Sequence, residues 1–356
     1  MPASAADHPF LSRLLGDEGL SALFSADADI EGMLRFWRAL GRAEAEAGLI
    51  STDAAQAIAS ASDGFRPDFE ELAIGAARDG VVVPALFDQL RARMPEAHRS
   101  KLHFGATSQD AIDTSLALRL KRASGELHGR ATRLVAALDR MEAEVGAVTV
   151  MGHTRMQAAI AVPASRKIAA WRNMLVRCNA RLDAATQDVA LVSLGGAAGT
   201  QEKLAGKGPA IAARVAELLD LACPEHARHN ERDGIVAYAS ALAGLTGALG
   251  KLGQDIALGA QTEVGEIKLA GGGGSSAMPH KVNPVGAETL VALARFNATL
   301  AGGMQHAMIH ENERSGAAWT LEWMLLPQMA VAAGAALRTA AALLDGTSFR
   351  PTSVNS

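Results

Sequence analysis

The stretch that decides the fold is Gly271-Gly-Gly-Gly-Ser-Ser-Ala-Met-Pro-His-Lys-Val-Asn-Pro284. Its four consecutive glycines favour neither a helix nor a strand, because glycine loses the most backbone freedom on ordering. The segment therefore predicts a loop between two helices, and Pro284 suits the first position of the second one. It carries hydroxyls, an imidazole, an ammonium and an amide, a composition typical of a lid that closes over an anionic substrate. A plain Gly-Ser linker is the alternative, but linkers seldom continue into Met-Pro-His-Lys-x-Asn-Pro.

The composition favours an all-α protein that works on a small molecule. Of the 356 residues 49% are hydrophobic but only 4% are aromatic, so the apolar mass is mostly small and aliphatic, which suits packed helices. The net charge is -4, and no basic field indicates binding to nucleic acid or to an anionic membrane.

The remaining global features favour a cytoplasmic protein. Cys178 and Cys223 are the only cysteines and have no metal-ligand spacing, which favours reduced thiols. The amino-terminal segment lacks the basic and then apolar pattern of a signal peptide. The apolar stretch 324–344 is interrupted by proline, glutamine and arginine, so we expect no membrane span there. His226 and His229 have no third ligand at a suitable spacing, so we expect no metal site.

Hydrophobic periodicity predicts helices through most of the chain. The first should be capped by Asp27, and a later one should begin at Thr52 or Asp53. The predicted ranges are 27–44, 69–77, 81–94, 107–145, 163–192, 206–221, 233–267 and 285–308, with a last helix that begins near Trp319.

Glycines recur every three residues in the predicted helix 233–267, at Gly244, Gly247, Gly250 and Gly253. Each costs about 1 kcal/mol in a helix relative to alanine, so we expect another helix to pack closely against this stripe. A long helix with one small-residue face favours a bundle core that is shared between subunits over an ordinary helix of a monomer.

The segment Thr107-Ser-Gln-Asp110 predicts a capping box at the start of a long helix. Free N–H groups and side-chain hydroxyls at such a helix end form a ready anion site. Two other segments resemble common motifs but do not match them. The glycine-rich segment 193–208 lacks the Ser or Thr that should follow Lys207 in a phosphate loop, and His310-Glu-Asn-Glu-Arg314 lacks the second histidine of a zinc protease.

The loop Ser275-Ser-Ala-Met-Pro-His-Lys-Val-Asn-Pro284 resembles the signature loop of the fumarase/aspartase superfamily, which reads Gly-Ser-Ser-x-Met-Pro-x-Lys-x-Asn-Pro. Thr107-Ser-Gln-Asp110 resembles the first shared region of that superfamily, which binds a substrate carboxylate. The resemblance extends from about Phe36 to Trp323. It implies an all-α, fumarase/aspartase-like fold with a long central helix bundle and a shortened carboxy-terminal domain. The expected divisions are 1–105, 106–309 with the loop 271–284, and 310–356.

Within the superfamily, three features resemble the carboxymuconate cycloisomerases. In Gly152-His-Thr-Arg-Met-Gln157, Arg155 stands where the lyases keep a catalytic histidine, and His153 stands where they keep arginine. The second feature is Gly-Gly-Ala-x-Gly-Thr at 195–200, and the third is Trp-x-x-Glu-Trp at 319–323.

The resemblance implies a carboxylate addition to a double bond within a tricarboxylate substrate, giving a lactone without metal or organic cofactor. A serine is a poor proton donor or base unless a closing lid desolvates it. The resemblance also implies a homotetramer whose active sites draw on three subunits. The residues expected to take part in catalysis are Ser275, which transfers the proton, Ser276 and His153. The residues expected to bind substrate are Thr107, Ser108, Asp110, Arg155, Gln157, Arg232, Met278, His280, Lys281, Asn283 and Arg314.

Two alternatives stay open at this point. One is an adenylosuccinate or argininosuccinate lyase, against which Arg155 and the short carboxy-terminal part speak. The other is a catalytically inactive helical scaffold, which poorly explains an intact signature loop.

Overall fold

The computed structural model describes residues 4–270, 273–274 and 282–351, and within these it is dominated by α-helices. The helices are α1 Ser12–Leu15, α2 Glu18–Leu23, α3 Ala26–Glu46, α4 Thr52–Ser62, α5 Phe69–Asp79, α6 Val83–Ala92, α7 Ser108–Val145, α8 Ala164–Val189, α9 Gly208–Leu219, α10 Asp233–Gly259, α11 Val285–Ala307 and α12 Ala317–Asp345. The strands are β1 Thr149–Thr154, β2 Gln157–Pro163, β3 Ile267–Leu269, β4 Gly273–Gly274, β5 Val282–Asn283 and β6 Thr347–Phe349.

The amino-terminal helices match the predicted ones except at their ends. Helix α3 is capped by Ser25, whose Oγ accepts the Ala28 N–H, and not by Asp27, which lies in the first turn. There Asp27 still favours the positive end of the helix dipole. Helix α4 begins at Thr52 after its cap Ser51. Helix α6 begins two residues later than predicted, with Pro84 in its first turn.

Five long helices, α7, α8, α10, α11 and α12, form a bundle in which consecutive helices run antiparallel. Contacts along the bundle show these directions: near the start of α8, Arg172 bonds Asp139 near the end of α7, and Trp171 bonds Asp255 near the end of α10. The buried leucines, alanines and Trp171 of these helices make one continuous core. A second core lies under the amino-terminal helices and α9, around Trp37.

Helix α10 ends at Gly259, eight residues before the predicted end, because the following segment turns and enters strand β3, which pairs with β6. Its glycine stripe is packed partly within the chain. An added Cβ at Gly250 would lie 2.5 Å from Ala294 Cβ, and one at Gly253 would lie 2.6 Å from Ala287 O, so α11 packs against both. Gly247 has no atom within 4 Å of such a Cβ among the described neighbours.

Between α7 and α8 the chain forms a β-hairpin, β1–β2, that the sequence pattern had left unassigned. Arg155 and Met156 at its turn have φ values of 49° and 67°, the left-handed pair that a tight hairpin turn requires.

Helices α10 and α12 are long and apolar enough to span a membrane by composition. In each, 61% of the apolar window is buried inside the bundle, as is typical of a core helix. Helix α12 runs on through Pro327, which interrupts its apolar pattern without ending the helix.

Candidate active site

A polar cluster lies at the amino end of α7. We call this end of the bundle, which carries Thr107, Ser108, Asp110, Arg232 and Arg314, the near end. The Thr107 N–H donates to Asp110 Oδ2 at 2.8 Å and completes the predicted capping box. Thr107 and Ser108 are half-buried at the amino end of α7, where the first N–H groups of the helix have no acceptor within the helix. Both features favour an anion at this point.

Asp110 is fully buried and is occupied by the protein itself. Its oxygens accept the Gly195 and Gly196 N–H groups at 2.8 and 3.0 Å and lie 2.7 Å from His229 Nε2. Gly196 has a φ of 71°, and a Cβ there would lie 2.9 Å from Gly105 O, so the segment requires glycine. Asp110 therefore holds the glycine-rich segment against α7.

Arg232 is buried between two carboxylates. Its guanidinium makes a fork with Glu322, with Nε to Oε1 at 2.8 Å and Nη2 to Oε2 at 2.6 Å, and its Nη1 donates to Asp113 Oδ2 at 2.7 Å. The Trp319 indole N–H also donates to Asp113 Oδ1, at 3.1 Å. Arg232, predicted to bind substrate, thus spends most of its donors on α7 and α12.

The charges in this buried group stabilise one another. Burial raises the pKa of Glu322, but hydrogen bonds from Arg232 and His310 lower it more, and the pKa of this carboxyl lies below its ordinary value. Burial lowers the pKa of Arg232, while Asp113 and Glu322 raise it to a net value above the ordinary one. The near end is therefore a cluster of fixed charges at neutral pH.

Arg314 is the exposed cation of the near end. Its Nε donates to Gln109 Oε1 at 2.9 Å, and its Nη2 donates to Ala197 O at 3.1 Å. Its Nη1 makes no hydrogen bond within the described part of the chain, so that side of the guanidinium can bind a ligand anion.

His103 lies just before α7, and the sequence reasoning missed it. Its Nδ1 accepts the Trp37 indole N–H at 2.8 Å, and because indole only donates, the imidazole hydrogen must be on Nε2. Burial lowers the pKa of His103 to about 4, so it is neutral at pH 7. Its φ of 60° is unusual for a residue other than glycine.

The opposite side of the bundle, the far end, carries the hairpin β1–β2. His153, Arg155 and Gln157 are all exposed near its turn. The hairpin is anchored by Glu266, whose Oε1 accepts the Met151 N–H at 2.6 Å and whose Oε2 pairs with Lys167 at 2.8 Å. The hairpin is thus attached at its base while its tip projects from the chain.

The base of the signature loop also lies at the far end. Gly273 pairs with Asn283 and Gly274 with Val282, so strands β4 and β5 bring the two sides of the loop together. Of the predicted loop residues, half-buried Asn283 is described. The others lie outside the described residues: Ser275, Ser276, Met278, His280 and Lys281.

The two ends are far apart in a single chain. Helix α10 starts beside Arg232 and ends before the loop, and its 27 residues span about 40 Å at 1.5 Å per residue. The structure therefore brings together Thr107, Ser108, Asp110, Arg232 and Arg314 at the near end. It leaves His153, Arg155, Gln157 and Asn283 at the far end.

The sequence reasoning missed Gln109, Asp113 and His310 as members of the near end. It noted Trp319 and Glu322 as part of a motif but gave them no place in the site. The signal that could have found these residues is that they are polar side chains at positions where the helices are buried. Gln109 and Asp113 lie one turn apart on α7, a spacing that places them on one face of the helix.

With the geometry established, comparison with known proteins shows the family. A protein-family model described as lyase matches residues 18–296. A 3-carboxy-cis,cis-muconate cycloisomerase of Pseudomonas putida is 38% identical over 331 residues, which cover 91% of this chain and 78% of that protein. A 3-carboxy-cis,cis-muconate cycloisomerase of Bradyrhizobium diazoefficiens is 34% identical over 349 residues, which cover 96% of this chain and 77% of that protein. The crystal structure of the 3-carboxy-cis,cis-muconate lactonizing enzyme from Pseudomonas putida matches with a TM-score of 0.90 at 34% identity, over 96% of this chain and 78% of that one.

The chain belongs to this lyase family. The predicted all-α fold and the resemblance to the superfamily are both confirmed by these matches.

Proposed function

We propose that the chain is a 3-carboxy-cis,cis-muconate cycloisomerase, an enzyme of the intramolecular lyase type. The observation that carries this proposal is Arg314, an exposed cation fixed beside the open amino end of α7. Two of the three segments by which the chain resembles the cycloisomerases meet at the near end, because Ala197 O accepts a hydrogen bond from Arg314 and the Trp319 indole N–H donates to Asp113. The similarity to the cycloisomerase of Pseudomonas putida supports the same reaction.

The proposed reaction is an isomerisation without loss of atoms. A carboxylate oxygen of the substrate forms a C–O bond to one carbon of a double bond. The π electrons move towards the other carbon, which is alpha to a second carboxylate, and form an aci-carboxylate dianion. A proton added to that alpha carbon completes the lactone. Fixed N–H groups and cations around the dianion would lower the barrier.

The residue roles are proposed from this chemistry. Arg314 and the Thr107 and Ser108 hydroxyls bind a substrate carboxylate, while Asp110 and Arg232 hold them in place. Ser275 delivers the proton, with Ser276 beside it. His280, Lys281, Met278 and Asn283 complete the closed loop. His153, Arg155 and Gln157 bind the substrate from the hairpin.

These roles require the near and far ends to meet, and we propose that they meet between chains of a homotetramer. The exposed hairpin supports this, because Met156 and Ile160 are 71% and 70% exposed although both are large and apolar. Such side chains on a projecting hairpin are typical of a surface that another subunit covers. A closed four-chain assembly would complete every site in the same way.

The remaining expectations stay part of the proposal. The enzyme would act in the cytoplasm on a small tricarboxylate, with no nucleic-acid or membrane partner and without metal or organic cofactor. The chain would divide at residues 1–105, 106–309 and 310–356.

The test is the ultraviolet absorbance of 3-carboxy-cis,cis-muconate incubated with purified protein in the presence of a chelator. Loss of the conjugated diene signal, with the lactone appearing, is the expected result. No loss from a folded oligomer would contradict the proposal. Cleavage of adenylosuccinate or argininosuccinate would then favour a lyase, and no turnover of any dicarboxylate would favour an inactive scaffold.

A further inference from the structure

Gln109 occupies the point where the buried charges of the near end meet the exposed Arg314. Its side chain is fully buried, and all of its hydrogen-bonding groups are engaged. Oε1 accepts the Arg314 Nε–H at 2.9 Å, while Nε2 donates to Asp113 Oδ2 at 3.1 Å and to His229 O at 2.7 Å.

These partners determine the orientation of the amide. One side of Gln109 faces a guanidinium, which only donates, and the other faces a carboxylate and a carbonyl, which only accept. A reversed amide would oppose donor to donor and acceptor to acceptor. Glutamate would place a second carboxylate against Asp113, and an apolar residue would satisfy neither side. A glutamine amide meets both demands.

Gln109 contacts a buried group of charges in which two acids share one guanidinium. Arg232 lies between the carboxylates of Asp113 and Glu322, so two acids face one guanidinium. If Arg314 paired directly with Asp113, the carboxylate would neutralise the charge of the Arg314 guanidinium. Gln109 separates them and binds Arg314 through a neutral oxygen, which leaves the charge of the exposed guanidinium available.

We propose that Gln109 is a positioning residue that fixes Arg314 for recognition of a substrate carboxylate and keeps it from pairing with Asp113. This inference rests on the proposed function, in which Arg314 binds substrate. The inference also gives a reason for Trp319 and Glu322. Trp319 binds Asp113 and Glu322 binds Arg232, and these contacts fix the carboxylate to which Gln109 donates.

The test is a double-mutant cycle with Gln109→Met and Arg314→Met, and Gln187→Met at an exposed position of α8 is the matched control. Gln109→Met should raise KM for 3-carboxy-cis,cis-muconate by roughly tenfold and change kcat by less than about threefold. In the Arg314→Met background it should change KM by less than about twofold, because its partner is gone. The control should match the wild type.

A merely structural role gives a different result. It would change KM by the same factor with or without Arg314, and that result would overturn the proposal.

A readout that needs no turnover separates this inference from the proposed function. In a crystal structure of Gln109→Met, the Arg314 guanidinium should leave the Ala197 carbonyl. A guanidinium that stays in place would overturn the inference even if the wild type is active. A displaced guanidinium in a protein without cycloisomerase activity would support the inference and contradict the function. Calorimetry with propane-1,2,3-tricarboxylate should show weaker binding by the variant than by the wild type.

Discussion

The near and far ends of the bundle differ in how much of their structure one chain completes. At the near end, Asp110, Arg232 and Glu322 are buried. Asp110 accepts a hydrogen bond from the glycine-rich segment at Gly195, and Arg232 joins Asp113 on α7 to Glu322 on α12. At the far end, Glu266 anchors the hairpin, but His153 and Arg155 stand exposed beyond it.

This difference indicates a division of labour. A buried network of charge-assisted hydrogen bonds fixes geometry in advance, as substrate binding requires. An exposed hairpin can adapt to a partner, and the composition of the segment 271–284 is typical of a lid that closes over a ligand. We infer that the near end recognises the substrate and that the far end supplies the chemistry to a neighbouring chain.

The largest expected effect is at the far end. Ser275→Ala should lower kcat by about a thousandfold or more, because it removes the proposed proton donor while leaving substrate binding intact. Stopped-flow absorbance of the diene measures this, and Ser100→Ala on an exposed surface is the control. Activity that survives within a few-fold would assign the proton to another group, with Ser276 or His280 next in line.

At the near end the largest effect should be on stability. Glu322→Gln leaves Arg232 with one buried carboxylate partner and should lower the free energy of unfolding by about 3 kcal/mol. Because the folded pKa of Glu322 lies below its ordinary value of 4.5, the carboxylate stabilises the fold above that pH. The contribution is lost as the pH falls through the folded pKa.

Denaturant unfolding at fixed protomer concentration, at pH 7 and again at acid pH, measures this contribution. The gap between Glu322→Gln and the wild type should narrow in acid. A gap that is independent of pH would mean that the charge of Glu322 is not what stabilises the network.

Glu44 offers a smaller effect of the opposite sign. It is fully buried in the second core, and neither carboxylate oxygen has a hydrogen-bond partner among the described residues. Burial raises its pKa to about 8, and Lys101 only partly opposes this. An acid with a raised folded pKa destabilises the fold as the pH rises from 4.5 towards 8, since the unfolded chain releases its proton first.

Glu44→Gln should therefore lie within about 1 kcal/mol of the wild type at pH 5 and be more stable by about 2 kcal/mol at pH 6. Denaturant unfolding across this pH range measures the difference, and Glu96→Gln at an exposed position is the control. Equal pH slopes for Glu44→Gln and the wild type would show that Glu44 has a partner when it ionises.

The smallest expected effect is the absence of a new activity. Arg155→His restores the residue that the lyases keep at this position, but the hairpin tip alone does not build a site for another substrate. The variant should cleave no adenylosuccinate in a chromatographic assay. Detectable cleavage would mean that this one residue separates the cycloisomerases from the lyases.

The sequence predicts the near end well where local rules apply. The Thr107 capping box and the bounds of α7 follow from short-range hydrogen bonding and helical periodicity, and both are observed. The meeting of Gln109, His229 and Arg314 does not follow, because it depends on how distant helices pack. The cap of α3 and the end of α10 were misplaced because serine competes with aspartate as a cap and because β3 pairs with a distant strand.

At the far end the sequence predicts less about structure and more about chemistry. The order of residues in the signature loop and in Gly152-His-Thr-Arg155 carries the resemblance. The hairpin was not predicted, since two non-glycine residues at positive φ give no turn signal. The way in which the two ends meet depends on other chains and stays a proposal.

The most direct test of this account is complementation between the two ends. Arg314→Met, a near-end variant, and Ser275→Ala, a far-end variant, are each purified and assayed alone, and then co-expressed with different tags and isolated as mixed assemblies. A site that takes its ends from different chains is intact when the Ser275→Ala chain supplies the near end and the Arg314→Met chain the far end. Random assembly gives this in about one site in four. The account predicts that the mixed assemblies recover about a quarter of the wild-type kcat, measured with 3-carboxy-cis,cis-muconate. Mixed assemblies no more active than their parents would contradict it and would place both ends of each site in one chain.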